Sequence, residues 1–150
     1  MTVDFDYFVI LAGMRTGSNF LEESLREYEN ITSYGEAFNL NFFGAANQKT
    51  LLGLTMGDRE RDPIAALRKM KEKSVGIFGF RLFHDHDPRV FNHCIKDRRC
   101  AKIVLQRNPV DSFVSLEIAR KTGQWRLQDV QKAKTGTIRF DRNEFDQFLQ

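Results

Sequence analysis

Tyr7-Phe8-Val9-Ile10-Leu11-Ala12 runs directly into Gly13-Met14-Arg15-Thr16-Gly17-Ser18-Asn19, and from Phe20 the spacing of apolar residues becomes helical. Six apolar residues in a row are the pattern of a strand buried on both faces of a parallel sheet. Two glycines four apart allow a tight turn. A strand that turns sharply into a helix aims backbone N–H groups and the positive end of the helix dipole at one point, where an anion can sit. The loop lacks the G-x-x-x-x-G-K-[ST] spacing of a nucleoside-triphosphate P-loop, because Ser18 stands where that motif demands lysine. An ordinary kinase or ATPase is thereby disfavoured.

Outward from this corner, Ser18 to Glu29 reads as a helix, with Phe20, Leu21, Leu25 and Tyr28 as its apolar face and Glu22, Glu23, Arg26, Glu27 and Glu29 in water. Ile31 to Tyr34 is a short strand candidate, and Gly35 to Gly57 reads as an irregular excursion over the ligand side of the sheet. Asp62-Pro63 opens a helix through about Lys71. Val75 to Phe83 is the next strand, and Asp87-Pro88 starts a helix with Val90, Phe91, Cys94 and Ile95 on its apolar face. Ala101 to Leu105 is another buried strand, turning at Arg107-Asn108-Pro109 into a helix that ends near Lys121 with Gly123 as its stop. Phe5, Phe8, Phe20, Phe78, Phe80, Phe83, Phe91 and Phe113 are expected in the core. Alternating strands and helices predict an α/β fold with a parallel sheet, whose ligands gather at the carboxyl ends of the strands. Asp141 and Glu144 are spaced like a capping box before Phe145 and Phe148, so a last helix begins close to residue 150.

The chain has 150 residues, 41% of them hydrophobic and 14 of them Phe, enough for the core of one domain. Its 23 Lys and Arg against 20 Asp and Glu are interleaved rather than blocked, which favours a local anionic ligand over nucleic acid. Cys94 and Cys100 suggest neither a disulfide framework nor a zinc site. His84-Asp85-His86-Asp87 reads as a hydrogen-bonded turn and helix cap rather than a metal site. No leader pattern and no apolar run of membrane-spanning length is present, so a cytoplasmic location without stable membrane insertion is expected.

Val104-Leu105-Gln106-Arg107-Asn108-Pro109-Val110-Asp111-Ser112-Phe113-Val114-Ser115 places an arginine at a strand end and a serine two turns into the following helix. Together with Arg15-Thr16-Gly17-Ser18 and the segment Gly35-Glu36-Ala37-Phe38, it resembles the sulfotransferases that use 3′-phosphoadenosine 5′-phosphosulfate. The likeness is to the bacterial branch of trehalose- and nodulation-type enzymes. It runs from about Phe8 to Trp125.

The resemblance implies a three-layer, P-loop-like fold. It also implies transfer of a sulfuryl group to a hydroxyl of a carbohydrate or glycolipid acceptor. The roles it assigns are a 5′-phosphosulfate held by Arg15, Thr16, Gly17, Ser18 and Asn19, and a 3′-phosphate held by Arg107 and Ser115. Glu36 takes the place of the catalytic base, and His84, with His86 beside it, is the rival. Arg15 steadies the leaving oxygen, and no metal is required. Phe38, Phe42 and Phe43 are candidates to line a saccharide pocket.

Relatives in that family run on for about another hundred residues and carry a Gly-rich basic loop not found here. The 150 residues are therefore expected to form the N-terminal part of a longer domain, with an exposed apolar patch able to drive dimerisation. Two other readings stand beside this one, a nucleotide-dependent phosphotransferase and a catalytically inactive nucleotide-binding fragment.

Overall fold

A computed structural model describes residues 4–125 and 132–150. Four parallel strands form the main sheet: β1 (Tyr7–Ala12), β2 (Ile31–Ser33), β5 (Ile77–Leu82) and β6 (Cys100–Leu105), in the order β2-β5-β1-β6. β3 (Thr50–Leu51) and β4 (Leu54–Thr55) make a separate small hairpin. The helices are α1 (Ser18–Arg26), α2 (Met56–Arg61), α3 (Pro63–Lys73), α4 (Pro88–Lys96), α5 (Pro109–Thr122) and α6 (Arg142–Phe148). The α/β class with a parallel sheet is as expected from the sequence. Among the described residues no helix is long and apolar enough to cross a membrane.

The register explains the layers. Tyr7 pairs with Phe78 and Cys100, and Val9 with Phe80, so alternate residues of β1 and β5 share one face. That face packs on Ala66, Leu67 and Met70 of α3 and on Val90 and Cys94 of α4. The opposite face carries Phe8, Ile10, Gly79 and Arg81, and α1 reaches it through Glu22. Gly79 makes room there, since a Cβ at this position would lie 2.3 Å from the Phe8 ring.

The boundaries follow local chemistry. Asp62, Asp87 and Asn108 each cap a helix that begins at proline, accepting from Ala65 N, Arg89 N and Val110 N respectively. Gly123 ends α5 in the left-handed conformation. Asp141 accepts from the Asn143 and Glu144 amides to start α6, whose Phe145 and Phe148 join Phe140 around the buried Phe113.

Three expectations are corrected. α1 ends at Arg26 and its inward line is Ser18, Leu21, Glu22 and Leu25, an i, i+3, i+4, i+7 series from which Phe20 is displaced. Phe20 is 76% exposed and Tyr28 62%, while Phe5 and Phe91 also keep much of their surface in water. The stretch from Gly35 to Gly57 is not wholly irregular, because the β3–β4 hairpin and the start of α2 lie within it. The signal for α2 was the box formed by Thr55 and Asp58, each accepting from the other's backbone amide. Finally, Phe38 and Phe43 are fully buried core residues, Phe38 edge-on to Phe80 and Phe43 beneath Arg59; of the three candidate pocket phenylalanines only Phe42 retains exposure.

Candidate functional site

The chain leaves β1 toward β2 on one side, and leaves β5 toward β6 on the other. The winding therefore reverses at β1, and a crevice opens at the carboxyl ends of the central strands. The 13–19 loop lies at that end. Arg15 takes a left-handed φ of 62°, an uncommon conformation for a side-chain-bearing residue, and Gly17 follows at 93°. The φ of Gly17 by itself calls for glycine, whatever ligand approaches. Thr16 Oγ1 donates to Gly13 O at 2.9 Å and tightens the turn. Ser18 is buried, and the amides of Gly17, Ser18, Asn19 and Phe20 have no acceptor among the described residues.

At the end of β6, Arg107 reaches back across the crevice and donates from Nη1 to the Arg15 carbonyl at 3.1 Å. Arg15 in turn donates from Nε to Ser115 Oγ on α5 at 3.0 Å and from Nη1 to the Trp125 carbonyl at 2.6 Å. Two strand-to-helix corners 92 residues apart are thus joined. Arg15, Arg107 and Ser115 line one concavity of about 340 Å³ together with Asp111, Val114, Ile118, Gln124 and Lys134, among others. Neither arginine has a carboxylate partner among the described residues. Burial, and then the neighbouring Arg107 guanidinium, lower the pKa of Arg15. A concave surface with two such cations is built to receive an anion. The side chain of Arg15 points to Ser115, not out over its own loop, so it links the two places that the family resemblance implies for phosphate groups.

Glu36 lies at the same edge of the sheet, beyond the end of β2. That is two strand spacings, roughly 10 Å, from the end of β1. Its Oε1 meets Arg81 Nη1 at 3.0 Å; its Oε2 accepts from Asn39 Nδ2 at 2.8 Å and faces His86 Nε2 at 3.5 Å. Burial alone would raise this carboxyl, but the His86 contact, the Arg81 charge and the Asn39 bond outweigh it, and its pKa is lowered. Glu36 is therefore an ionised carboxylate at neutral pH. His84 is exposed on the turn after β5, whereas His86 is buried and is the histidine that reaches Glu36. Sequence reasoning missed the partners of Glu36 on other elements, Arg81 and, behind it, Glu22. Among the described residues no group of three His, Cys, Asp or Glu side chains is placed to hold a metal ion.

No protein-family model matches the chain, and no solved structure matches it. It is 30% identical over 148 residues, 95% of its length, to Nodulation protein H of Rhizobium tropici. It is 31% identical over 124 residues, 79% of its length, to Nodulation protein H of Rhizobium meliloti strain 1021. The chain spans 58% and 49% of those two proteins.

Proposed function

We propose that the chain is the nucleotide-binding part of a sulfotransferase of the P-loop-like type that uses 3′-phosphoadenosine 5′-phosphosulfate. The observation that carries this reading is the joining of Arg15, Arg107 and Ser115 from two distant corners in one concavity. The similarity to Nodulation protein H over nearly the whole chain supports it. Arg107 and Ser115 take the 3′-phosphate, the first-turn amides and Thr16, Ser18 and Asn19 take the 5′-phosphosulfate, and Arg15 serves the space between. In the transfer, an acceptor hydroxyl oxygen bonds to sulfur as the bond from sulfur to the phosphate oxygen breaks. Adenosine 3′,5′-bisphosphate leaves, and the hydroxyl proton passes to Glu36. Glu36 is suited to receive that proton because it is ionised. The acceptor is a hydroxyl of a saccharide-like molecule.

Calorimetry tests the nucleotide site without knowledge of the acceptor. The chain should bind adenosine 3′,5′-bisphosphate at least tenfold more tightly than adenosine 5′-phosphate or ATP. Arg107→Ala should weaken bisphosphate binding by about 10- to 100-fold, the loss of one charge-assisted contact. Equal affinity for mono- and bisphosphate would overturn the assignment.

A further inference from the structure

Besides Asn39 in its own loop, Glu36 is held by residues that come from other elements. Glu22, turned inward on α1 and only 3% exposed, gathers several donors. Its Oε1 accepts from the Gly35 amide at 2.9 Å, Ser33 Oγ at 2.7 Å and Arg26 Nη2 at 2.9 Å. Its Oε2 lies 2.6 Å from Arg81 Nε, a close ion pair rather than an aligned hydrogen bond. Arg81, 8% exposed on β5, then spans from Glu22 to Oε1 of Glu36 at 3.0 Å. On the far side the Phe83 amide donates to His86 Nδ1 at 3.3 Å, which places the proton of the neutral imidazole on Nε2, toward Glu36. The charged or titratable groups around Glu36 are thus Arg81 and His86, with Glu22 and Arg26 behind Arg81.

Burying two carboxylates and a guanidinium is an inefficient route to stability, since apolar side chains of similar volume commonly serve as well or better. What such a chain of groups does provide is direction. A glutamate has three side-chain torsions, and proton transfer demands placement close to the reacting oxygen. Resting on the transferase reading above, we propose that Glu22 and Arg81 are positioning residues for Glu36. Glu22 pins Arg81 and Arg81 grips Oε1, so α1 and β5 set the orientation of the carboxylate together with Asn39 of its own loop, which holds Oε2.

The test is a carboxyl-carbon NMR titration of Glu36 in the full chain, run beside bisphosphate calorimetry and sulfuryl-transfer assays on a sugar panel. In Arg81→Gln the Glu36 midpoint should rise by roughly one pH unit or more, as expected when an adjacent cation is lost. Turnover should fall at least tenfold in Arg81→Gln and in Glu22→Gln, while bisphosphate affinity stays within about twofold, because neither residue touches the nucleotide concavity. Arg81→Gln leaves Glu22 buried without its cation, so the double variant Glu22→Gln/Arg81→Met, which removes both charges, provides a folded comparison and should show the same upward midpoint. An unmoved Glu36 midpoint in both Arg81 variants would overturn the proposal, as would loss of bisphosphate affinity in step with turnover. Failure of the unmodified chain to bind bisphosphate would instead refute the transferase reading, with the titration still deciding whether Arg81 holds Glu36.

Discussion

Glu36 shows how surroundings set the role of a single carboxylate. Burial works against its charge, yet the His86 contact, Arg81 and Asn39 together hold its pKa below the ordinary 4.5. The sign follows directly. A carboxyl lowered in the folded state stabilises the fold fully above its ordinary value, and that contribution fades as pH falls through the lowered one. The same shift keeps the carboxylate proposed as proton acceptor ionised throughout the neutral range. Glu36→Gln should therefore cut transfer by about 10²- to 10⁴-fold while leaving bisphosphate affinity unchanged, a comparison made by paired kinetics and calorimetry. Unaltered turnover would move the base role to another residue. Glu36, Arg107 and Ser115 could be picked out in the sequence because each sits in a short pattern of neighbours. Glu22 could not, since a glutamate on a helix surface is by default in water, and only the folded register brings it to Arg81.

At the scale of elements, the buried strands and the proline-led helix starts were readable because each is decided within a few residues. β1 and the starts of α3, α4 and α5 fall where apolar runs and Asp-Pro or Asn-Pro pairs put them. The rotation of α1 is a tertiary matter: its apolar spacing put Phe20 and Tyr28 on the inner face, and the fold turns Ser18 and Glu22 inward and leaves both of those aromatics outside. α2 is short and largely charged, so its capping box is its main local signal. The close packing of β1 against β5 is also testable. Gly79→Ala would drive a methyl into the Phe8 ring and should cost about 1–3 kcal/mol by urea denaturation. Phe8→Leu in the same background should recover part of the loss, and a Gly79→Ala chain of undiminished stability would show that the ring moves aside freely.

Across the whole molecule, the arrangement divides labour between the two ends of the sheet. The carboxyl end holds Glu36, the 13–19 loop and Arg107. At the amino end, Asp6 ties the start of β1 to Lys71 of α3 at 2.7 Å and to Arg99 just before β6. The Arg99 bond, with Lys71 beside it, lowers the Asp6 carboxyl from 3.8 to about 2. This stabilisation is complete above about pH 4 and disappears as pH falls toward 2. Asp6→Asn should accordingly lower the urea midpoint at pH 7 and narrow its gap from the parent chain near pH 2; a constant gap would mean that the tie does not depend on ionisation.

The bond from Arg107 to the Arg15 carbonyl joins the two corners directly, protein to protein. Side by side, their like charges repel, and any small oxyanion in the medium relieves that repulsion. On the proposed reading, sulfate or phosphate in a purification or assay buffer should act as a competitor as well as a stabiliser, raising the melting temperature while lowering apparent nucleotide affinity. Work on this chain is best done in chloride with an amine buffer.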